Sequence, residues 1–414
     1  MELTTVQKIL IISVVGLVIR YFVGVIFTYP RDIASWALNI DNYLSNGGIY
    51  GLPGHYYTPV WGYILAPIAF IMGKFGIPTS FMNPDYMGGS EIYPWFTVVP
   101  SWDFILIIKT LLFVVDLLVA FVLFKIVVEI TDDERKATMA FAIWFLCPLT
   151  IDISAIRVMF ENIEILFALL SILLILKNIH FTAGIFIGLS LMTKPYVIIM
   201  GIVAIGWIFA RSGSIKSLFS FLIGSCISIL AVMLPVILAG EFGDSMLWLT
   251  MRASDTTSGY NAVLNILPIV LGISCVLSFL TAWFKWKDPQ IFFLISFMLT
   301  GAFLASPGNV QYYLLLLPLA ILVESKLMWI FYTVLLILSI QAICTFADWS
   351  SYYYLATDWI GSGLVQSLAH ALTVIQSNAL LLLSKILTGI VAVMVSLFVL
   401  MNGVFSWIES KSSF

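Results

Sequence analysis

Continuous apolar runs of about 20 residues, the length of a membrane-crossing helix, fill most of this chain. In lipid, backbone amides must find their hydrogen bonds within the segment, which a helix achieves. Barrel strands would instead alternate apolar and polar residues over about 10 positions. With 61% hydrophobic and 10% charged residues, the chain lies far from the soluble average. We therefore predict an all-α, polytopic membrane protein embedded in a lipid bilayer.

The hydrophobic runs predict the positions of the spans. They are 8–28, 103–128, 137–153, 162–178, 181–193 with 195–210, 217–238, 262–283, 290–305, 310–323, 327–346 and 386–408. Two more segments, 59–74 and 364–383, could cross the membrane or lie in its interface. Before the first polar loop there is no small-residue cleavage site, so we expect the first span to be retained rather than removed as a signal.

Basic residues predict the orientation, because short loops rich in Lys and Arg remain in the cytoplasm. If 59–74 does not cross, most basic turns fall on the side of Lys8; if it crosses, this bias is reversed for most of the chain. We therefore predict that 59–74 is re-entrant or interfacial, and that there are about 12 transmembrane helices. The first outer loop, 29–101, then contains amphipathic and re-entrant helices, and 239–261 is the second long outer loop.

Several function classes are disfavoured by what the chain lacks. A net charge of −3 without a basic patch argues against nucleic acid as a partner. The chain has no nucleoside-phosphate loop, HExxH or CxxC motif, so we predict no cofactor. The cysteines lie inside apolar runs without paired spacing, and we interpret them as core residues rather than ligands or disulfides: Cys147, Cys226, Cys275 and Cys344.

The first outer loop holds the main catalytic candidate, Asp32. Asp32, Trp36, Ile40 and Tyr43 have helical spacing, which predicts an amphipathic helix over 31–46 on the membrane surface. A carboxylate there could take a proton from a sugar hydroxyl. It could equally cap the helix or pair with Arg31. Further along the loop, His55 could contact phosphate or acceptor, or be an ordinary hydrogen-bonded loop histidine.

Other charged residues lie inside or at the mouths of spans. Asp116 is in mid-span, which is costly without a partner, and Lys109 lies two turns earlier on the same face. Arg157 and Glu161 have i,i+4 spacing. Lys194 precedes a helix-breaking proline, so we expect it to meet an anion, either a lipid-linked phosphate or Asp116. In the second outer loop, Arg252 can bind a phosphate through two nitrogens.

The order of these motifs resembles the GT-C superfamily of membrane glycosyltransferases. Within it, the chain is most similar to the GPI mannosyltransferase I catalytic-subunit family and its prokaryotic relatives, over about residues 29–320. The matching positions are Asp32, Tyr50, Tyr57-Thr58-Pro59, Asp116-Leu117-Leu118, Trp144 with Pro148, Arg157, Lys194 with Tyr196, and Gln311-Tyr312-Tyr313. The family usually has a DxD pair, but Pro30 stands at the first aspartate, so a metal site is not supported.

This resemblance implies an inverting transfer of a sugar, with mannose favoured, from a polyprenyl- or dolichyl-phosphate donor to a glycolipid or glycan acceptor. Asp32 would be the base. Arg252, Lys194 and Arg157 would bind the donor phosphate, and the substrate contacts would be His55, Tyr57, Glu161, Gln311 and Tyr312. The catalytic module would be 1–320, followed by C-terminal transmembrane helices at 321–414.

Two other classes of function remain open. One is a flippase or transporter for lipid-linked glycans, although we find no internal repeat of the kind expected in secondary transporters. The other is a non-catalytic subunit of a glycan-assembly complex; an enzyme could also have an accessory subunit. The protein would lie in a prokaryotic plasma membrane or the endoplasmic reticulum, with its active face outside or luminal.

Overall fold

A computed structural model of the chain describes residues 3–46, 48, 50, 57–82, 98–247, 260–305, 309–347, 367, 371, 374 and 377–412. Nearly all of its regular structure is helical, which confirms the all-α prediction. The α-helices are α1 (Thr5–Ile26), α2 (Pro30–Asn46), α3 (Pro59–Phe75), α4 (Trp102–Thr131), α5 (Glu134–Leu146), α6 (Pro148–Ile151), α7 (Glu161–Leu176), α8 (His180–Leu191), α9 (Ile198–Ser212), α10 (Ile215–Leu238), α11 (Tyr260–Trp283), α12 (Pro289–Leu304), α13 (Leu316–Leu322), α14 (Met328–Ala347) and α15 (Asn378–Ser412).

Short irregular elements complete the fold. A π-helix spans Asp152–Ile156, and 3₁₀ helices span Pro195–Val197 and Val310–Leu315. Two short antiparallel strands, β1 (Ser80–Met82) and β2 (Val98–Pro100), pair with Phe81 opposite Val99.

Six of the described helices are long and apolar enough to cross a membrane, as expected of a membrane protein. The number becomes seven if α5 and the bent segment that follows it form one span. Several other apolar helices, including α3, α8 and α12, have only 10–17 residues. The prediction of about 12 spans is therefore not shown by helix length alone and stays a prediction.

Proline positions explain where several helices begin or break. Pro59 stands in the first turn of α3, and Pro195 separates α8 from α9, both as the sequence predicts. Pro148 ends α5, and the chain then bends by 44°. The predicted span 137–153 is therefore not one continuous helix, because a proline cannot supply the amide that would continue it, and whether the bent pair crosses the membrane stays a prediction. The last helix begins at Asn378 rather than at the predicted 386.

Polar contacts gather most of the basic turns at one end of the helix bundle. Thr5 donates a hydrogen bond to Glu134 (2.7 Å), and Lys136 pairs with Glu324 (3.0 Å). The backbone amide of Glu324 in turn bonds to Gln290 (2.9 Å), close to the turn that contains Lys287. We call this the basic end. The turns that the sequence analysis placed on one side therefore lie together.

The opposite end, which we call the site end, holds the first polar loop. Lys109 near the start of α4 donates to the carbonyls of Gly24 (2.5 Å) and Phe27 (2.9 Å), and Tyr29 N–H bonds to the Ile156 carbonyl (2.7 Å). Val60 N–H bonds to the carbonyl of Met192, beyond α8. The residues after α1, the start of α3 and the ends of the π-helix and α8 thus meet.

Both ends of α3 contact elements of the site end. The first turn of α3 is bonded to Met192. Thr79 lies four residues after the last residue of α3, and its carbonyl accepts a hydrogen bond from the amide of Ser101, the N-cap of α4 (2.8 Å). Ser80 also donates to Asp41 of α2 (2.9 Å). These contacts support a re-entrant or interfacial course for 59–74, which stays a prediction.

Helix α2 has the predicted bounds but not the predicted surroundings. Ile33, Trp36 and Ile40 on its apolar face are at most 1% exposed, because they pack on the protein rather than on the membrane surface.

The cysteine prediction is wrong in part: all four thiols are free, Cys344 is buried, and Cys226 and Cys275 are exposed on their helices. One apolar core contains residues on both sides of position 320. The boundary predicted there, between the catalytic module and the C-terminal helices, therefore stays a prediction.

The closest helix packing, between α8 and α10, depends on glycine. A Cβ atom at Gly184 would overlap the carbonyl oxygen of Phe221, and one at Gly224 would overlap that of Phe181. Small residues at such spacing let helix backbones approach in membrane proteins, where packing replaces the hydrophobic effect.

We predict that Gly184→Ala lowers the free energy of unfolding by about 1–3 kcal/mol, because the new methyl group has no space. The matched control is Gly272→Ala in α11, where a Cβ meets open space. Unfolding followed by tryptophan fluorescence in detergent measures both. Equal unfolding midpoints for the two variants would contradict the packing argument.

Candidate functional site

An irregular segment between α6 and α7 is the centre of the site end. The π-helix Asp152–Ile156 is followed by Arg157 and by Val158, whose φ is 56°. A β-branched residue in the left-handed region is strained, and such strain persists only where the surroundings enforce it. π-helical turns are also frequent at functional sites.

Three contacts hold this segment in place. The Trp36 indole N–H donates to the Val158 carbonyl at 3.0 Å, which ties α2 to the segment. The Arg157 guanidinium pairs with Asp152 at 2.8 Å, and both side chains are buried. Because residues 157–160 are not helical, the i,i+4 spacing of Arg157 and Glu161 does not place them on one helix face, and that prediction is wrong.

Lys194 lies in a buried cage beside this segment. Pro195 ends the preceding helical run, so the Lys194 side chain enters the interior and forms an ion pair with Glu161 of α7. Its ammonium lies 4.4 Å from the centre of the Phe160 ring, 5.0 Å from Tyr57 and 5.9 Å from Tyr312. Aromatic faces attract a cation at these distances. The predicted grouping of Lys194, Glu161, Tyr57 and Tyr312 is therefore present.

The cage contains more negative than positive charge when both of its carboxylates are ionised. Glu164 lies one turn after Glu161, and one of its oxygens accepts the Val197 amide at 3.2 Å. The second oxygens of Glu161 and Glu164 and the Trp61 indole nitrogen are buried without a hydrogen bond in the described structure. Buried polar groups normally have partners, so these atoms indicate that water or a ligand hydroxyl group binds here.

The first polar loop contacts the cage through aromatic rings. The Trp36 ring lies 5.5 Å from Phe160 and 5.6 Å from Tyr57. Asp32 is half-buried and one helical turn before Trp36, on the same side of α2. The predicted catalytic carboxylate is thus attached to the helix that packs on the cage.

Tyr50 helps to fix the end of this loop. Its hydroxyl donates to the Tyr57 carbonyl at 2.8 Å. Burial raises the pKa of the Tyr50 hydroxyl far above its usual value, with further contributions from Tyr63 and Glu241, so it remains a donor. Glu241, the first acidic residue of the second predicted outer loop, therefore lies close to the first.

Asp116 belongs to a separate buried network. Its carboxylate pairs with Arg20 of α1 at 3.0 Å and accepts from Asn162 of α7 at 3.1 Å. Asp116 is therefore not the partner of Lys194, and Lys109 instead binds carbonyl groups in the last turn of α1 and just after it. The sequence analysis missed Arg20 because it lies inside an apolar run, where it gives no sign of its partner.

Lys385 of α15 is a further residue that the sequence analysis missed. Its ammonium lies close enough to the Arg157 guanidinium for the two charges to repel each other, so α15 brings a second basic group toward the Arg157–Asp152 pair. A lone lysine in the apolar run from Asn378 to Val391 was the signal that could have found it. Gln311 is buried next to Tyr312, whereas His55 and Arg252 lie outside the described residues.

No protein family, curated protein or solved structure matches the chain in the three comparisons with known proteins. The chemistry of the site must therefore be argued from its own residues. They supply a caged ammonium with two carboxylates, a neighbouring arginine with a second cation, and a half-buried aspartate on the adjoining helix.

We predict that Lys194→Met destabilises the protein by about 3–5 kcal/mol, because it leaves the Glu161 carboxylate buried without its cation. Adding Glu161→Gln should restore part of this loss. The control is Lys136→Met, which breaks a half-exposed pair worth about 0–1 kcal/mol. Thermal unfolding in detergent tests the set, and equal losses from Lys194→Met and Lys136→Met would exclude a buried ion pair.

Proposed function

We propose that the protein is an inverting glycosyltransferase that moves a sugar, with mannose favoured, from a polyprenyl- or dolichyl-phosphate donor to a glycolipid or glycan acceptor. The observation that carries the proposal is the strained segment at Arg157–Glu161. It joins the helix of Asp32, the Lys194 cage and the cation pair Arg157 and Lys385.

The reaction assigns one task to each part of the site. The Asp32 carboxylate accepts the proton of the acceptor hydroxyl as its oxygen forms a bond to the anomeric carbon. The bond between that carbon and the phosphate oxygen breaks, and the lipid phosphate leaves with the electron pair. Fixed cations stabilise the charge that develops on the leaving group.

Charge balance favours Arg157 over Lys194 as the phosphate-binding residue. Lys194 already pairs with Glu161, so most of its charge is balanced within the protein before a phosphate could bind. Arg157 also pairs with a carboxylate, that of Asp152, but Lys385 brings a second basic group toward it. The cage contains polar atoms that lack a hydrogen bond, and these suit the hydroxyl groups of a sugar. The aromatic face of Tyr57 suits a sugar ring.

In this proposal the protein crosses the membrane many times, with the basic end in the cytoplasm and the site end outside or luminal. This orientation follows from the positive turns at the basic end. A lipid-borne donor then enters the site from the bilayer, and no soluble nucleotide-sugar domain is required.

We predict that Asp32→Asn lowers sugar transfer by at least about 100-fold, the usual minimum for loss of a general base, without unfolding the protein. The assay uses purified protein in lipid nanodiscs with radiolabelled polyprenyl-phosphate mannose and a glycolipid acceptor, with and without a metal chelator. Asp103→Asn, an exposed carboxylate at the start of α4, is the control and should retain activity.

Undiminished transfer by Asp32→Asn would remove Asp32 from this role. If the wild-type protein transfers no sugar but still assembles into a glycan-assembly complex, the result would favour a scaffold subunit. Movement of the intact lipid-linked sugar between leaflets, without bond cleavage, would favour a flippase.

Topology gives an independent prediction. In a background without the four native cysteines, we expect Asp103→Cys and Lys74→Cys to react with an impermeant maleimide from outside sealed cells. Lys216→Cys at the basic end should react only after permeabilisation. If Lys74→Cys is labelled from the same side as Lys216→Cys, α3 crosses the membrane. The two ends of the first loop would then lie on opposite sides of the bilayer.

A further inference from the structure

A cleft lies between α1 and α5 at the basic end, far along both helices from the candidate site. It has a volume of about 330 Å³ and is lined by Thr5, Lys8, Ile12, Arg135, Thr138, Met139 and Ala142. The two helices touch closely near Gly16, where a Cβ would reach the Phe145 ring. From there the cleft extends along both helices toward Thr5 and Glu134, which are joined by a hydrogen bond of 2.7 Å.

The polar mouth of the cleft presents two cations. Lys8 and Arg135 are exposed and form no ion pair within the described residues. Glu134 next to them accepts a hydrogen bond from Thr5 at 2.7 Å, and Asp133 accepts the amides of Arg135 and Lys136 as the N-cap of α5. Both of these carboxylates therefore bind donors of the protein, which leaves the two cations to face an anion at the mouth.

The rest of the cleft is apolar and continues onto the surface of α1. Ile12, Met139 and Ala142 line its inner part, and Met139 is 60% exposed. Val15 and Ile19 further along α1 are 45% and 37% exposed. A ligand of this site therefore needs an anionic group at the mouth and apolar chains that follow the helices into the bilayer.

We propose that this cleft binds an anionic phospholipid of the leaflet at the basic end, with the phosphate diester between Lys8 and Arg135 and an acyl chain along Ile12 and Met139. Basic pockets between transmembrane helices suit such headgroups, and each lysine or arginine adds to the attraction. The site is independent of the proposed enzymatic activity, because it lies at the opposite end from Lys194 and Arg157.

Native mass spectrometry of the purified full chain in neutral detergent tests the proposal, with phosphatidylglycerol as the probe and phosphatidylcholine as the comparison. We expect one phosphatidylglycerol to bind more tightly than phosphatidylcholine. The double variant Lys8→Gln with Arg135→Gln should weaken this binding by about fivefold for each cation removed. The control, Lys216→Gln with Lys326→Gln, removes the same charge from the same end and should leave the affinity unchanged.

A second variant separates a cleft from general surface attraction. Ala142→Leu keeps every charge but fills the inner part of the cleft, so it should also weaken phosphatidylglycerol binding. Equal effects of the two double variants, or full binding by Ala142→Leu, would overturn the proposal. Displacement of the lipid by millimolar glycerol phosphate would show a site for free phosphate esters and would also overturn it.

Discussion

Burial of charge within an apolar bundle is the constraint on which the rest of the structure depends. An ion without a partner in such a place costs several kcal/mol, so each one must meet an opposite charge or a set of dipoles. Arg20 meets Asp116, Arg157 meets Asp152, and Lys194 meets Glu161. Lys109 has no carboxylate and binds two carbonyls and the Thr28 hydroxyl instead. These partners join α1, α4, the π-helix and α7 at fixed positions.

The irregular backbone at the site end follows from the same constraint. Asp152 and Arg157 are five residues apart in the sequence. In one straight helix over residues 148–164, this spacing would place the two side chains on different faces. The π-turn and the left-handed Val158 bring them into contact, and the Trp36 indole binds the carbonyl that this distortion leaves free of the helix. The distortion is therefore stabilised by an ion pair and by a hydrogen bond from another helix.

Patterns within one segment predicted the fold well. Apolar runs predicted the bounds of most helices to within a few residues. Pro59 predicted the start of α3 and Pro195 the break between α8 and α9, because proline acts on the backbone locally. Partners across the bundle could not be predicted in this way. The spacing of Arg157 and Glu161 favoured a shared helix face that does not form, since the strained Val158 between them cannot be recognised in the sequence. Arg20 and Lys385 were missed because their significance depends on which helix lies opposite.

Part of the candidate site could nevertheless be predicted, because Lys194 and Glu161 are charged residues against an apolar background. Tyr57 and Tyr312 were predicted only from the resemblance to a family, and the structure brings all four together. Lys194 is held by Glu161, so its charge is largely used in stabilising the interior. Arg157 is held by Asp152 beside this cage, and carboxylate oxygens without a hydrogen bond occur in both places, on Asp152 and on Glu161 and Glu164. In the proposed enzyme these adjoining groups would act together, with the sugar at the cage and its phosphate at Arg157, as a sugar joined to a phosphate requires.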